Sequence, residues 1–197
     1  AQIDTAQSKF GGASGLFDGT GDSLSLSDSI DWTFSTADYT LECWVRFNAI
    51  EDGCFIDVND GTVAGVRMSW LNDTSGIQIL IAGIDFRFPF SPSVNTWYHL
   101  AFTRQNGSIR MFVDGSQSGA TTSDGLANIS GTSGAKIASA IVNSSIDFNG
   151  WIDEVRISKG VARWIANFSV QTREYDVTDY EYWLYINTNN NATFRVS

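Results

Sequence analysis

Few side chains in this 197-residue chain have the type and spacing that covalent chemistry needs. Cleaving a glycosidic bond takes two carboxylates flanking a groove, about 5 to 9.5 Å apart. The adjacent pair Asp153 and Glu154 would point to opposite faces of a strand. Asp57 with Asn59 offers only one acid. No Gly-x-Ser-x-Gly elbow marks a nucleophile. The single histidine, His99, forms no CxxC-type or Cys/His cluster with Cys43 and Cys54, so a zinc site is excluded. These absences predict a protein that is not an enzyme. Recognition chemistry is better supplied. Glu42, Trp44 and Arg46 stand in a row at alternate positions, and with Trp70 and His99 they could stack on a sugar face and bond its hydroxyls. The alternative is that Trp44 and Trp97 are ordinary core. Asp18 to Asp22 and Asp153 offer hard oxygen ligands that suit calcium, although Asp18 and Asp22 also read as simple turn formers.

The elements that must position these groups are strands. Leu41, Cys43, Val45 and Phe47 fall on one face of a strand, and Thr40, Glu42, Trp44 and Arg46 on the other. Burial is therefore expected for Leu41, Cys43, Val45, Leu100 and Phe102, with Glu42, Trp44, Arg46 and His99 on an exposed or groove-lining face. From Trp97 the alternation continues through Leu100 and Phe102 to Asn106-Gly107, resumes at Ile109, Met111 and Val113, and stops at Asp114-Gly115. Asn-Gly and Asp-Gly pairs tolerate the two positive φ angles of a type I′ turn, which makes this block a three-stranded meander. Further strands are expected at 54–58, 65–71, 76–81, 85–88 and 136–141, and from Trp151 to Ile157, the last ending in a turn of helical character. A hairpin through 48–53 would offset Cys43 from Cys54 by about 13 Å, beyond disulfide reach, so both thiols are expected free and buried.

Composition agrees with an all-β chain: 18 Gly, 2 Pro, 13% aromatic and 17% charged residues favour short strands and polar turns. The net charge of −10 offers no basic field for a phosphate backbone, which excludes nucleic acid as a natural partner and favours cations. No apolar run reaches eighteen residues and no signal-type start is present, so membrane insertion is not expected.

Three stretches carry a family resemblance. The Trp97-Tyr98-His99 start with its Asn106-Gly107 turn and Phe112-Val113-Asp114-Gly115 stop is the first. The Leu41-Glu42-Cys43-Trp44-Val45 strand is the second, and Gly150-Trp151-Ile152-Asp153-Glu154-Val155-Arg156-Ile157, followed by Gly160-Val161-Ala162-Arg163 and Asn167-Phe168, is the third. Together they resemble laminin G-like, concanavalin A-like jelly-roll domains of the kind found on bacteriophage virion proteins, over residues 8–172. The resemblance implies a two-sheet antiparallel β-sandwich with a short C-terminal extension. It further implies a non-catalytic module on a virion surface or otherwise extracellular, acting in adhesion, decoration or glycan recognition. Implied partners are a glycan or host-surface receptor, other virion proteins or identical subunits. The alternatives are a carbohydrate-binding module attached to a polysaccharide-degrading enzyme, and a purely structural decoration protein. The family's calcium maps onto Gly19, Asp22 and Asp153 of this chain.

The domain is expected to span 1–172, without the strand that normally precedes Leu16-Phe17-Asp18-Gly19. A missing strand would leave an unpaired sheet edge. Residues 173–197 are then either the start of a further repeat or an anchoring strand. The alternating run Tyr182 to Ile186 suits an edge, of its own sheet or of a neighbour's.

Overall fold

A computed structural model describes residues 1–59, 61–62, 64–73, 76–130, 133–142 and 146–175, with the backbone of 182–186 and 192–195. Its strands in chain order are β1 (Gln2–Asp4), β2 (Ser14–Asp18), β3 (Leu24–Leu26), β4 (Tyr39–Phe47), β5 (Gly53–Val58), β6 (Val66–Leu71), β7 (Gly76–Ile81) and β8 (Ile84–Pro89). They continue with β9 (Trp97–Gln105), β10 (Ser108–Val113), β11 (Ser116–Ser123), β12 (Ala135–Ile137), β13 (Asn149–Lys159), β14 (Tyr182–Ile186) and β15 (Ala192–Arg195). One sheet runs β1-β2-β13-β4-β9-β10-β11, with β14 joined to β13 and β15 to β14; the other runs β3-β12-β5-β6-β7-β8. All the pairings are antiparallel, as expected for a jelly-roll sandwich.

Alternation decides which side of each strand is core. Leu41, Cys43, Val45 and Phe47 of β4, Leu100 and Phe102 of β9, and Ile109 and Met111 of β10 are fully buried and meet Phe55, Val58, Met68, Ile77 and Ile79 of the opposite sheet. Phe47 centres an aromatic cluster with ring centroids 5.9 Å from Phe55, 6.2 Å from Trp70 and 5.2 Å from Phe148. The meander turns have the required geometry: φ is +48° and +75° at Asn106 and Gly107, and +48° and +78° at Asp114 and Gly115.

Four local expectations change. Cys43 and Cys54 are free and buried as expected, but no hairpin joins their strands, because the chain crosses at 48–52 from one sheet to the other. The strand expected at 136–141 stops at Ile137, where Ala138 takes φ +68°. The segment after β13 forms no helix; its polar backbone is instead tied to the sheet, with Phe168 N–H donating to Gly115 O at 2.9 Å. Ahead of Leu16, where no strand was expected, the short β1 pairs with β2, and β14 pairs with β13 of its own chain at Val155, Arg156 and Ile157.

Candidate functional site

The outward face of the larger sheet carries the row expected to bind ligand. Pairing register sets Trp44 opposite His99 and Asp153, Glu42 opposite Arg156 and Ala101, and Arg46 opposite Trp97 and Trp151. The expected common face is real for Glu42, Trp44, Arg46 and His99, but most of it is not open. Glu42 is 0%, His99 1% and Trp44 3% exposed, because two segments of the chain lie across them. Near the N-terminus, Lys9 Nζ sits 3.9 Å from the Trp44 ring centroid and Phe10 meets the same ring edge-on at 5.9 Å. After β13, Thr40 Oγ1 donates to Val161 O at 2.9 Å and Thr103 Oγ1 to Trp164 O at 2.7 Å. These bonds hold Trp164 and Phe168 over the face with their rings stacked 3.8 Å apart. Arg46 is half-buried and stacks on Trp151 with its guanidinium 4.6 Å from the ring centroid. Trp70 does not belong to this face. It lies on β6 of the other sheet and points into the core, where its even-spaced neighbours Val66 and Met68 also point.

The covered face is held by charge. Glu42 Oε1 accepts from Arg156 Nε at 2.6 Å, and Nη2 of the same arginine also stands at 2.6 Å. Glu42 Oε2 accepts from Trp164 Nε1 at 3.0 Å. Burial pushes the Glu42 carboxyl up, but the contact with His99 and the Arg156 charge more than offset it and hold it down at about 2. Next to it β13 bulges between Asp153 and Arg156, with Glu154 at φ +51°. The bulge re-aims two carboxylates at the two covering segments. Asp153 Oδ2 accepts from Lys9 N–H at 2.8 Å and Phe10 N–H at 3.2 Å, while Glu154 Oε2 accepts from Tyr175 N–H at 2.7 Å and Gln171 Nε2 at 3.0 Å. Burial pushes Asp153 up to about 6 and Glu154 up to about 7.

These bonds bear on the calcium set. Asp153 spends its oxygens on three backbone N–H groups, those of Lys9, Phe10 and Glu154. Asp22 accepts from Asp18 N–H. Gly19 lines a rim cavity to which neither contributes. Gly19, Asp22 and Asp153 therefore do not fit one metal, and among the described residues no three His, Cys, Asp or Glu side chains already converge as a metal-holding group.

A cavity opens at the rim of the sandwich. About 710 Å³ in volume, it lies where the β2–β3, β4–β5 and β6–β7 connections meet the approach to β13, and its acids are Asp18, Glu51, Asp52, Asp73 and Asp147. Sequence reasoning missed all of these but Asp18, since an acid in a turn carries no signal beyond turn formation. Most have local partners: Thr20 N–H donates to Asp18 at 2.8 Å, Asn72 N–H to Asp52 at 2.7 Å, and Asn149 Nδ2 to Glu51 at 2.8 Å. Asp147 differs. It is 8% exposed, one oxygen accepts from Gly21 N–H at 2.7 Å, and Oδ1 is buried with no hydrogen-bond partner.

The chain belongs to the concanavalin A-like lectin/glucanases superfamily: its laminin G-type family model matches residues 18–164. No curated protein matches in sequence. Among solved structures, a candidate carbohydrate binding protein from Bacteroides ovatus is similar at TM-score 0.70 and 20% identity, over 88% of this chain and 50% of that one. This chain thus spans half that protein's length. Domain 4 of an extracellular arabinanase from Geobacillus stearothermophilus, solved with arabinotriose, is similar at TM-score 0.60 and 19% identity, over 82% and 77%. Domains LG4-5 of the mouse laminin alpha1 chain are similar at TM-score 0.57 and 12% identity, over 82% and 47%.

Proposed function

We propose that this chain is a non-catalytic glycan-binding module, displayed on a phage virion or otherwise outside the cell, that takes its ligand at the rim cavity with calcium bound there. The observation that carries the reading is Asp147: a carboxylate more than nine-tenths buried with an unanswered oxygen, lining an open cavity with four further acids and no Lys or Arg. A buried acceptor without a partner costs about 1–3 kcal/mol, and a hard cation answers it. The Asp147 Oδ1 oxygen would be the first ligand of the ion, and Asp18 and Glu51, which do not converge on it in this structure, would turn toward the cation from the same cavity. Bound calcium supplies positive charge and free coordination positions for sugar hydroxyls. The side chains of Thr20, Asn72 and Asn149 add hydroxyl and amide partners around it. The description of the Bacteroides ovatus protein as a candidate carbohydrate binding protein, and the arabinotriose complex of the arabinanase domain, support the ligand class. The second of these also supports an alternative setting, a module attached to a polysaccharide-degrading enzyme.

The test is a glycan array and calorimetry on the full chain with calcium or with chelator, for the parent and for Asp147→Asn. Calcium is expected to raise the melting temperature and to be required for glycan retention, and Asp147→Asn to weaken both by about tenfold or more. A melting temperature indifferent to saturating calcium, with no glycan retained, would overturn the reading in favour of a purely structural surface protein that contacts other virion proteins or identical subunits.

A further inference from the structure

A second cavity, of about 240 Å³, lies between the outward face of the larger sheet and the segment after β13. Its walls include Glu42, His99, Arg156, Trp164, Gln171 and Tyr175. Much of that wall is already bonded: Glu42 takes Arg156 and Trp164, and Gln171 donates to Glu154. Two groups are not. The His99 ring, 1% exposed, has no hydrogen-bond partner at Nδ1, while its Nε2 faces Glu42 Oε2 at 3.3 Å. The Tyr175 hydroxyl is likewise buried without a partner. Buried polar groups in folded proteins are nearly always answered by protein, water or ligand.

The chemistry of these groups narrows what answers them. An imidazole nitrogen and a phenol hydroxyl are directional polar groups of the kind that bond hydroxyls. The charged residues lining the cavity balance, Glu42 and Glu174 against Arg156 and Arg173, so neither an anion nor a cation is called for there. Beside the polar groups stands an aromatic wall, the near-parallel rings of Trp164 and Phe168, 9° apart in plane. An aromatic wall with a few convergent hydroxyl-seeking groups is the usual make-up of a sugar pocket. The volume falls just below the roughly 300–1,000 Å³ of sites for drug-sized ligands, which limits the occupant to about one ring. We infer that this cavity binds a single uncharged sugar ring or a polyol of similar size, with His99 and Tyr175 bonding its hydroxyls and the stacked Trp164–Phe168 pair presenting one aromatic surface to it.

This site uses no residue of the rim cavity, and it needs no metal. Its test is therefore run in chelator, which silences the rim. Neutral monosaccharides and polyols (glucose, galactose, mannose, arabinose, glycerol) are added at millimolar concentration to the full chain, read by saturation-transfer NMR and by thermal shift. At least one is expected to bind, about tenfold more weakly to Tyr175→Phe, which removes one hydroxyl and leaves the ring, and equally well to Asp147→Asn. The inference is overturned if no probe binds the parent protein in chelator, if Tyr175→Phe binds as the parent does, or if a crystal soaked in the best probe holds only ordered water in the cavity. Asp147→Asn losing calcium-dependent retention while keeping the small sugar would separate the two sites.

Discussion

Replacing Glu42 by Gln keeps the side chain's shape and removes its charge, leaving the Arg156 guanidinium, 6% exposed, without a counter-ion. Breaking a buried pair by neutralising one partner costs about 3–5 kcal/mol. An independent route gives a similar figure: a carboxyl held at about 2 in the fold against an ordinary 4.5 corresponds to roughly 3 kcal/mol at neutral pH. For a chain of this size each kcal/mol moves the melting temperature by about 2–4 °C, so Glu42→Gln should lower it by roughly 6–20 °C. The sign of the pH dependence adds a second readout. A depressed carboxyl contributes stability that is complete above about 4.5 and is lost as pH falls toward about 2. Melting curves taken from pH 7 down to pH 2 should therefore show the parent losing its advantage over Glu42→Gln below about 4.5. The double variant Glu42→Gln with Arg156→Met, which removes both charges, should recover much of the loss. A drop under about 3 °C at neutral pH, or parallel curves for parent and variant in acid, would refute the claim that this pair anchors the covered face.

Asp153 and Glu154 run the other way. Their carboxyls are pushed up to about 6 and about 7, so the cost of burying their charge is complete above about 7 and is relieved as pH falls through those values. Melting temperature should rise from pH 8 to about 5.5, and Glu154→Gln should flatten that rise. The Cys43 and Cys54 thiols, pushed up by burial, should resist a thiol reagent in the folded protein and react fully in denaturant. Gly115→Ala puts a methyl group against Phe168 O at a φ of +78°, and should cost about 1–2 kcal/mol in chemical denaturation before any displacement of the closing segment is added. Deleting residues 173–197 strips β14 from Val155–Ile157 and should lower the melting temperature with no change of mass in solution; an unchanged melting temperature would mean that the pairing adds nothing to the domain.

The sandwich was legible because strand period, turn chemistry and core composition agree. Leu41 to Phe47 and Leu100 to Phe102 alternate without interruption, and Asn106-Gly107 and Asp114-Gly115 specify turns that few other pairs can make. What was not legible depends on contacts across long stretches of sequence. Nothing near Trp44 indicates that Lys9 and Phe10 will cover it, and nothing near Gly115 indicates that Phe168 will return to it. Period-2 reasoning also fails at the bulge between Asp153 and Arg156, where it cannot anticipate which way a carboxylate will turn. Trp70 was misplaced for a simpler reason: an indole signals a flat surface, and a core uses flat surfaces as readily as a ligand site does.

That ambiguity has a physical root that applies to the whole outward face. A row of carboxylate, indole and guanidinium groups is suited to binding a sugar because it mixes a flat apolar surface with directed polar groups. For the same reason it is suited to binding a polypeptide segment, whose peptide groups are polar and whose side chains can stack. The chain supplies two such segments, and intramolecular docking needs no loss of translational freedom, so its own segments outcompete a ligand of comparable chemistry. Trp44 is covered in this way by Phe10 and Lys9, and Thr40 and Thr103 by the segment that carries Val161 and Trp164. A ligand can then be received only where the covering is incomplete. Among the described residues, Asp147 in the rim and His99 beside Phe168 are two positions where a side chain more than nine-tenths buried, with an unanswered polar atom, lines a cavity. Their surroundings differ in kind, five carboxylates at one and balanced charges with stacked rings at the other, so only the first should respond to chelator.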